Sequence, residues 1–175
     1  MTRNVIDLNA RRRAFDDAAT REKMRRYFND EITWAEVEGM TFEQAQQIGK
    51  LGCELAAKGR LQDARIIFEG LVAGNPKDTC AQAALGTVYQ RLNRNDDARV
   101  CYDRAIELCE DNIVALANRG ELRLRSGDVD GVADLTRAVK LDEKGMTAPG
   151  RRARALLKFL VDRAAAAANK QAAAR

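Results

Sequence analysis

Apolar positions recur along this chain at the three- and four-residue spacing of one helix face, in short blocks separated by glycine or polar residues. The blocks predict six consecutive helices near 45–57, 61–74, 79–91, 95–109, 113–125 and 129–141. Thr33-Trp34-Ala35-Glu36 and Thr41-Phe42-Glu43-Gln44 read as capping boxes, in which the threonine and the third residue on satisfy each other's backbone donors. Asn112 can cap the fifth helix, and Pro76 stands where the second must stop. The stretch 10–28 is also helical in pattern, with Ala14, Phe15, Ala18, Met24, Tyr27 and Phe28 as apolar positions. After Pro149, residues 150–168 carry Leu156, Leu157, Phe159, Leu160 and Val161 on an expected capping helix, and AAAAANKQAAAR is expected to fray into a tail. With only two prolines in 175 residues, the predicted class is all-α.

The blocks repeat. Leu51-Gly52 and Leu85-Gly86 lie 34 residues apart, and each glycine is followed by an alanine (Ala64, Ala98) and then an aromatic (Phe68, Tyr102) at matching spacing. This spacing resembles the tetratricopeptide repeat (TPR), a 34-residue helical hairpin that stacks into a solenoid. The first repeat spans 45–78 and the second 79–112. A third, 113–145, keeps Gly120 and Gly127, and its Ala138 matches Ala105. It departs elsewhere: Arg119 replaces Leu51 and Leu85, Arg123 replaces Leu55 and Tyr89, and its turn is one residue short. It is expected to expose more charge than the others. Gly52 and Gly86 should sit where paired helices approach most closely, and Gly131, in the weaker hairpin, should tolerate a larger side chain better than Gly86. The chain thus divides into an N-terminal helical extension (1–40), a TPR domain (41–146), and a C-terminal capping helix with a basic, alanine-rich tail (147–175).

Charge changes the picture only at one end. Residues 1–40 carry eight basic and eight acidic side chains, residues 41–146 carry 15 and 17, and residues 147–175 carry seven and one. The basic character belongs to the tail, which argues against nucleic-acid binding by the body. The absence of an 18-residue apolar run and of a signal-type core points to a cytoplasmic protein with no membrane span. Cys53, Cys80, Cys101 and Cys109 form no CxxC pair, and with no histidine in the chain, packing roles fit better than a metal or a disulfide. One serine, Ser126, and scattered glycines leave no nucleophile–base pair and no phosphate loop. No cofactor or catalytic residue is expected, and the chain reads as a protein-binding module rather than an enzyme.

TPR arrays bind along the face lined by the first helix of each hairpin. Positions 2, 5, 9 and 12 place Gln46, Gly49, Cys53 and Ala56 there from the first repeat, Cys80, Ala83, Thr87 and Gln90 from the second, and Val114, Ala117, Glu121 and Leu124 from the third. The lining is small and mostly uncharged, suited to an extended peptide, with Ala83 and Cys53 pointing inward at mid-groove. Gly49 and Cys53 stand where carboxylate-clamp TPRs use lysine and asparagine, so a clamp for a C-terminal carboxylate is not expected.

The segment TFEQAQQIGKLGCELAAKGRLQDARIIFEGLVAGNPKD, with Thr41, Phe42, Glu43, Gln44, Gly59, Asp63, Ala64 and Phe68, resembles the opening repeat of the class II chaperones of type III secretion, the SycD/LcrH family. Gly120-Glu121 followed by Gly127-Asp128 is similar to that family's Ala-Glu…Gly-Glu pattern. The resemblance covers about residues 30–145. It implies a bacterial cytoplasmic chaperone that holds an extended segment of a hydrophobic translocator cargo in its groove and can form a homodimer through N-terminal helices. The chain departs from the family in its basic tail, in Arg91 and Arg125 at the groove rim, and in a highly charged 10–28 segment. The alternatives are a general TPR adaptor in a cytoplasmic assembly, or a nucleic-acid or membrane tether using Arg151, Arg152, Arg154, Lys158 and Arg163.

Overall fold

A computed structural model describes residues 18–173, and among these every regular element is helical. In chain order the helices are α1 (Ala18–Phe28), α2 (Trp34–Val37), α3 (Phe42–Ala57), α4 (Leu61–Gly74), α5 (Thr79–Arg91), α6 (Asn95–Leu108), α7 (Ile113–Arg125), α8 (Gly131–Leu141) and α9 (Ala148–Ala173). The helices α3/α4, α5/α6 and α7/α8 pair as hairpins, and successive hairpins stack.

Local chemistry explains the starts and turns. Thr41 N donates to the Gln44 side chain at 2.8 Å while Gln44 N donates to Thr41 Oγ1 at 3.2 Å, and Thr33 and Glu36 make the same reciprocal pair. Asp78 Oδ1 accepts from the amides of Cys80 and Ala81 at the start of α5, and Asn112 Oδ1 accepts from Ala115 N at the start of α7. Each hairpin turns on a left-handed residue: Gly59 at φ +80°, Gly127 at +84°, and Asn93 at +61° in the second, an amide residue that tolerates this region.

The hairpins close around missing side chains. A Cβ on Gly52 would lie 2.8 Å from the Phe68 ring, and one on Gly86 would lie 2.6 Å from the Tyr102 ring. Ala64, Ala98 and Tyr102 are fully buried.

The third hairpin overturns two expectations. Its short turn moves Gly131 into the place of Ala98 and Leu135 into that of Tyr102. A Cβ on Gly120 would meet Gly131 O at 2.8 Å and Leu135 at 2.9 Å, while one on Gly131 would run into Gly120 O and the side chains of Leu124 and Arg123. Gly131 is therefore at least as constrained as Gly86. Nor is the hairpin's added charge exposed. Arg119 forks onto Asp134, with Nε to Oδ2 at 2.8 Å and Nη2 to Oδ1 at 2.7 Å, and its Nη1 reaches Asp103 at 2.7 Å. The Arg119 and Asp134 side chains are only 14% and 8% exposed, and Arg123 adds a second cation at 3.0 Å from Asp134. Among the described residues no buried side-chain nitrogen or oxygen lacks a hydrogen-bond partner.

The ends differ from expectation as well. The stretch 10–28 is represented by α1 from Ala18; Ala14 and Phe15 lie outside the described residues. Met24 and Tyr27 are half-buried, but Phe28 is 76% exposed. Tyr27 meets Trp34 edge to face at 5.6 Å, which ties α1 to α2, and α2 packs on α4 through Ala35 against Gly74. At the other end α9 packs on α8 and α7 and stays helical to Ala173 instead of fraying. Alanine is the best helix former, so the alanine run extends the helix. No described helix is long and apolar enough to cross a membrane.

Candidate peptide-binding groove

The first helices of the hairpins, α3, α5 and α7, stand side by side. Between α3 and α5 lies a cleft of about 410 Å³. It gathers four of the predicted residues, Gln46, Gly49, Cys53 and Cys80, over a floor of Phe68, Leu71 and Ala81, with Phe42 and Lys50 at its edges. Phe42 is 73% exposed, so the cleft has one large apolar side chain to offer a ligand. The repeat register missed Phe42 because it precedes the repeat. Its signal was the aromatic residue directly after the capping threonine. Partial burial of the Cys53 thiol holds its pKa above the ordinary value, which disfavours the thiolate. All four cysteines are free thiols; Cys101 is buried, whereas Cys53, Cys80 and Cys109 are exposed, so the packing role fits Cys101 alone.

The second repeat contributes differently from its pattern. Ala83 is only 3% exposed and belongs to the main core, so it sets the depth of the floor and is not an inward-pointing contact. Thr87 and Gln90 enter a polar chain. Tyr102 donates its hydroxyl to Gln90 Oε1 at 2.7 Å, Thr87 donates to Ala83 O at 2.9 Å, and Asn118 Nδ2 donates to Thr87 Oγ1 at 3.0 Å. Burial pushes the Tyr102 phenol up to about 12, so it remains a donor at neutral pH. The hydroxyl reaches Gln90 because Gly86 opposite leaves the ring close to α5.

In the third repeat Val114 is 37% exposed and accessible, whereas Ala117 is buried in the second core with Ala153 of α9. Leu124 packs into the same cluster, and Glu121 is paired with Arg125 at 2.7 Å. Ala56, at the far end of α3, is half-buried, and its carbonyl accepts from Arg91 at 2.7 Å. The structure thus gathers Gln46, Gly49, Cys53 and Cys80 in one cleft and puts Thr87 and Gln90 on a polar stretch beyond it, while Ala83, Ala117 and Leu124 serve packing. A second cleft of about 370 Å³, between α2, the start of α3 and the end of α4, contains none of the predicted residues.

No family profile matches the chain. Its fold is similar to those of solved type III secretion chaperone structures. It aligns with the translocator chaperone SycD of Yersinia enterocolitica at a TM-score of 0.65 and 18% identity, over 73% of this chain and 97% of that one. It aligns with PcrH bound to the chaperone-binding region of PopD at a TM-score of 0.63 and 24% identity, over 71% of this chain and 96% of that one. Among curated proteins it is 31% identical over 118 residues to anaphase-promoting complex subunit 3 of Schizosaccharomyces pombe, 67% of this chain but 17% of that protein. The chain therefore spans about a sixth of the length of that relative.

Proposed function

We propose that this chain is a non-catalytic cytoplasmic chaperone of the type III secretion kind, whose TPR domain over 41–146 holds an extended segment of a translocator-type cargo in its groove. The observation that carries this reading is the cleft between α3 and α5, lined mostly by uncharged groups, with Lys50 and Asp78 the charged exceptions, beside one exposed aromatic. Such a trough accepts alternate side chains of an extended peptide while its walls exclude bulky folded surfaces. Support comes from structural neighbours described as translocator chaperones, two of them PcrH bound to chaperone-binding regions of PopD and PopB. Homodimer formation through the segment containing α1 belongs to the same reading, since α1 buries none of its residues against the body.

The test is co-purification from the native host, with identification of the bound chain and repetition with Cys53→Glu. Capture of a secreted hydrophobic protein, lost in the variant, supports the reading. Stable capture of a folded cytoplasmic assembly that ignores the variant supports the adaptor alternative, which the likeness to a segment of anaphase-promoting complex subunit 3 favours.

A further inference from the structure

The groove does not stop at the third hairpin. Arg152 follows Asn118 by 34 residues and donates its Nη2 to Asn118 Oδ1 at 2.6 Å. Asn118 in turn donates to Thr87, so each first helix hands a polar side chain back to the one before it. The row runs α5, α7, α9, and Ala153 packs beside Ala117 in the core beneath. By this ladder α9 occupies the place of the first helix of a fourth repeat, and Arg152 stands at the end of the polar chain that begins at Gln90 and Tyr102.

The arginines of this last wall are held by neutral acceptors. In the hairpins most arginines are matched to carboxylates: Arg60 with Asp63, Arg65 with Glu69, Arg94 with Asp97, and Arg119 with Asp103 and Asp134, while Arg91 donates to the Ala56 carbonyl. On α9, Arg151 and Arg154 donate to the backbone carbonyls of Gly145, Met146, Asp142 and Glu143, and Arg152 donates to an amide oxygen. Among the described residues none of the three is in an ion pair with a carboxylate. On α7 the acidic side chain Glu121 is paired with Arg125. A guanidinium held by a neutral acceptor keeps its remaining N–H donors for an anion, and a carboxylate is the planar partner that fits them.

We infer that Arg152 forms an anion-binding subsite at the α9 end of the groove, which takes an aspartate or glutamate side chain of the bound segment. This rests on the extended-peptide reading of the preceding section. The ligand would lay its apolar part in the cleft between α3 and α5, cross Thr87 and Gln90, and place an acidic residue over α7 and α9. That fixes its register along the groove, because charged contacts contribute specificity more than affinity.

The experiment is selection from a random peptide display library against the full chain, in parallel with Arg152→Gln and, as a control, Arg163→Gln/Lys170→Gln. The control cations lie further along α9; Arg163 is about 16 Å from Arg152 along the axis. Peptides enriched by the unaltered chain should carry apolar residues and, at a constant offset, Asp or Glu. Arg152→Gln should keep the apolar residues and lose the acidic one, and the control should keep both. Replacing the acid by its amide in one selected peptide should weaken binding about tenfold at low salt, as loss of a charge-assisted contact does. Enrichment of apolar peptides with no acidic bias, or a bias that survives in Arg152→Gln, overturns the subsite and leaves the groove reading standing. No enrichment at all overturns both. Binding of a 20-nucleotide single-stranded DNA probe that is abolished by Arg152→Gln would assign this cation to phosphate, and that also overturns the subsite.

Discussion

The backbones of Gly120 and Gly131 lie so close that a Cβ on either would collide with the other's carbonyl oxygen. This contact closes the third hairpin, and it exists because the turn before α8 is one residue shorter than its counterparts.

The first prediction follows from that contact. Gly131→Ala should destabilise the protein by about 1–3 kcal/mol through overpacking, since backbone cannot move aside as a flexible side chain can. Gly70→Ala, on α4 where an added Cβ meets nothing within 4 Å, should instead stabilise it by about 0.5–1 kcal/mol. Thermal melts of the two variants check this, and a stabilised Gly131→Ala would refute the close contact.

Arg119 and Asp134 form the most buried ion pair described. Asp134→Ala leaves two guanidinium groups without their shared carboxylate and should cost about 3–5 kcal/mol. Replacing both residues with leucine, the residue type at Leu51 and Leu85, should recover most of that loss, because the more buried guanidinium is then gone and Arg123, which is more exposed, keeps Asp128. Urea denaturation of the single and double variants decides the matter; a double variant no more stable than Asp134→Ala would show that the pair cannot be replaced by packing.

Asp142 gives a pH dependence. The Thr147 hydroxyl, the Thr147 amide and then the Met146 amide all donate to its carboxylate, which holds its pKa below the ordinary aspartate value. A lowered folded-state pKa contributes stability that is present above the unfolded value, about 3.9, and lost as pH falls through the folded one. Attachment of α9 should therefore loosen below about pH 4. Asp142→Asn should melt lower than the unaltered chain at pH 7, and the difference should shrink as the pH approaches 3. A constant difference across that range would rule out the carboxylate as the cause.

Ala83 and Cys53 should separate stability from binding. Ala83→Glu buries an unpaired charge in the main core and should melt far below the unaltered chain. Cys53→Glu alters an exposed position and should change stability by about half a kcal/mol or less. Only the second can therefore serve as a binding variant. Should Ala83→Glu melt normally, the packing around α5 is looser than described.

The one-dimensional pattern determined the helices, because helix formation depends on contacts three and four residues apart and on caps, all of which are local. The 34-residue register likewise carried the stacking of hairpins and the small residues Gly52 and Gly86 at their closest approaches. The placing of Gln46, Gly49, Cys53 and Cys80 on one cleft also followed from that register, since the first two hairpins obey it without a gap. The tertiary structure alone decided what happens where the register breaks. Loss of one turn residue put Gly131 against Gly120 and turned Asp134 toward Arg119, and neither partner can be read from spacing because they lie on different helices. Burial of Ala83 and Ala117, and the reach of Arg152 to Asn118, depend on how far one helix leans on the next. That distance is set by the volumes packed between the helices, not by the periodicity within either.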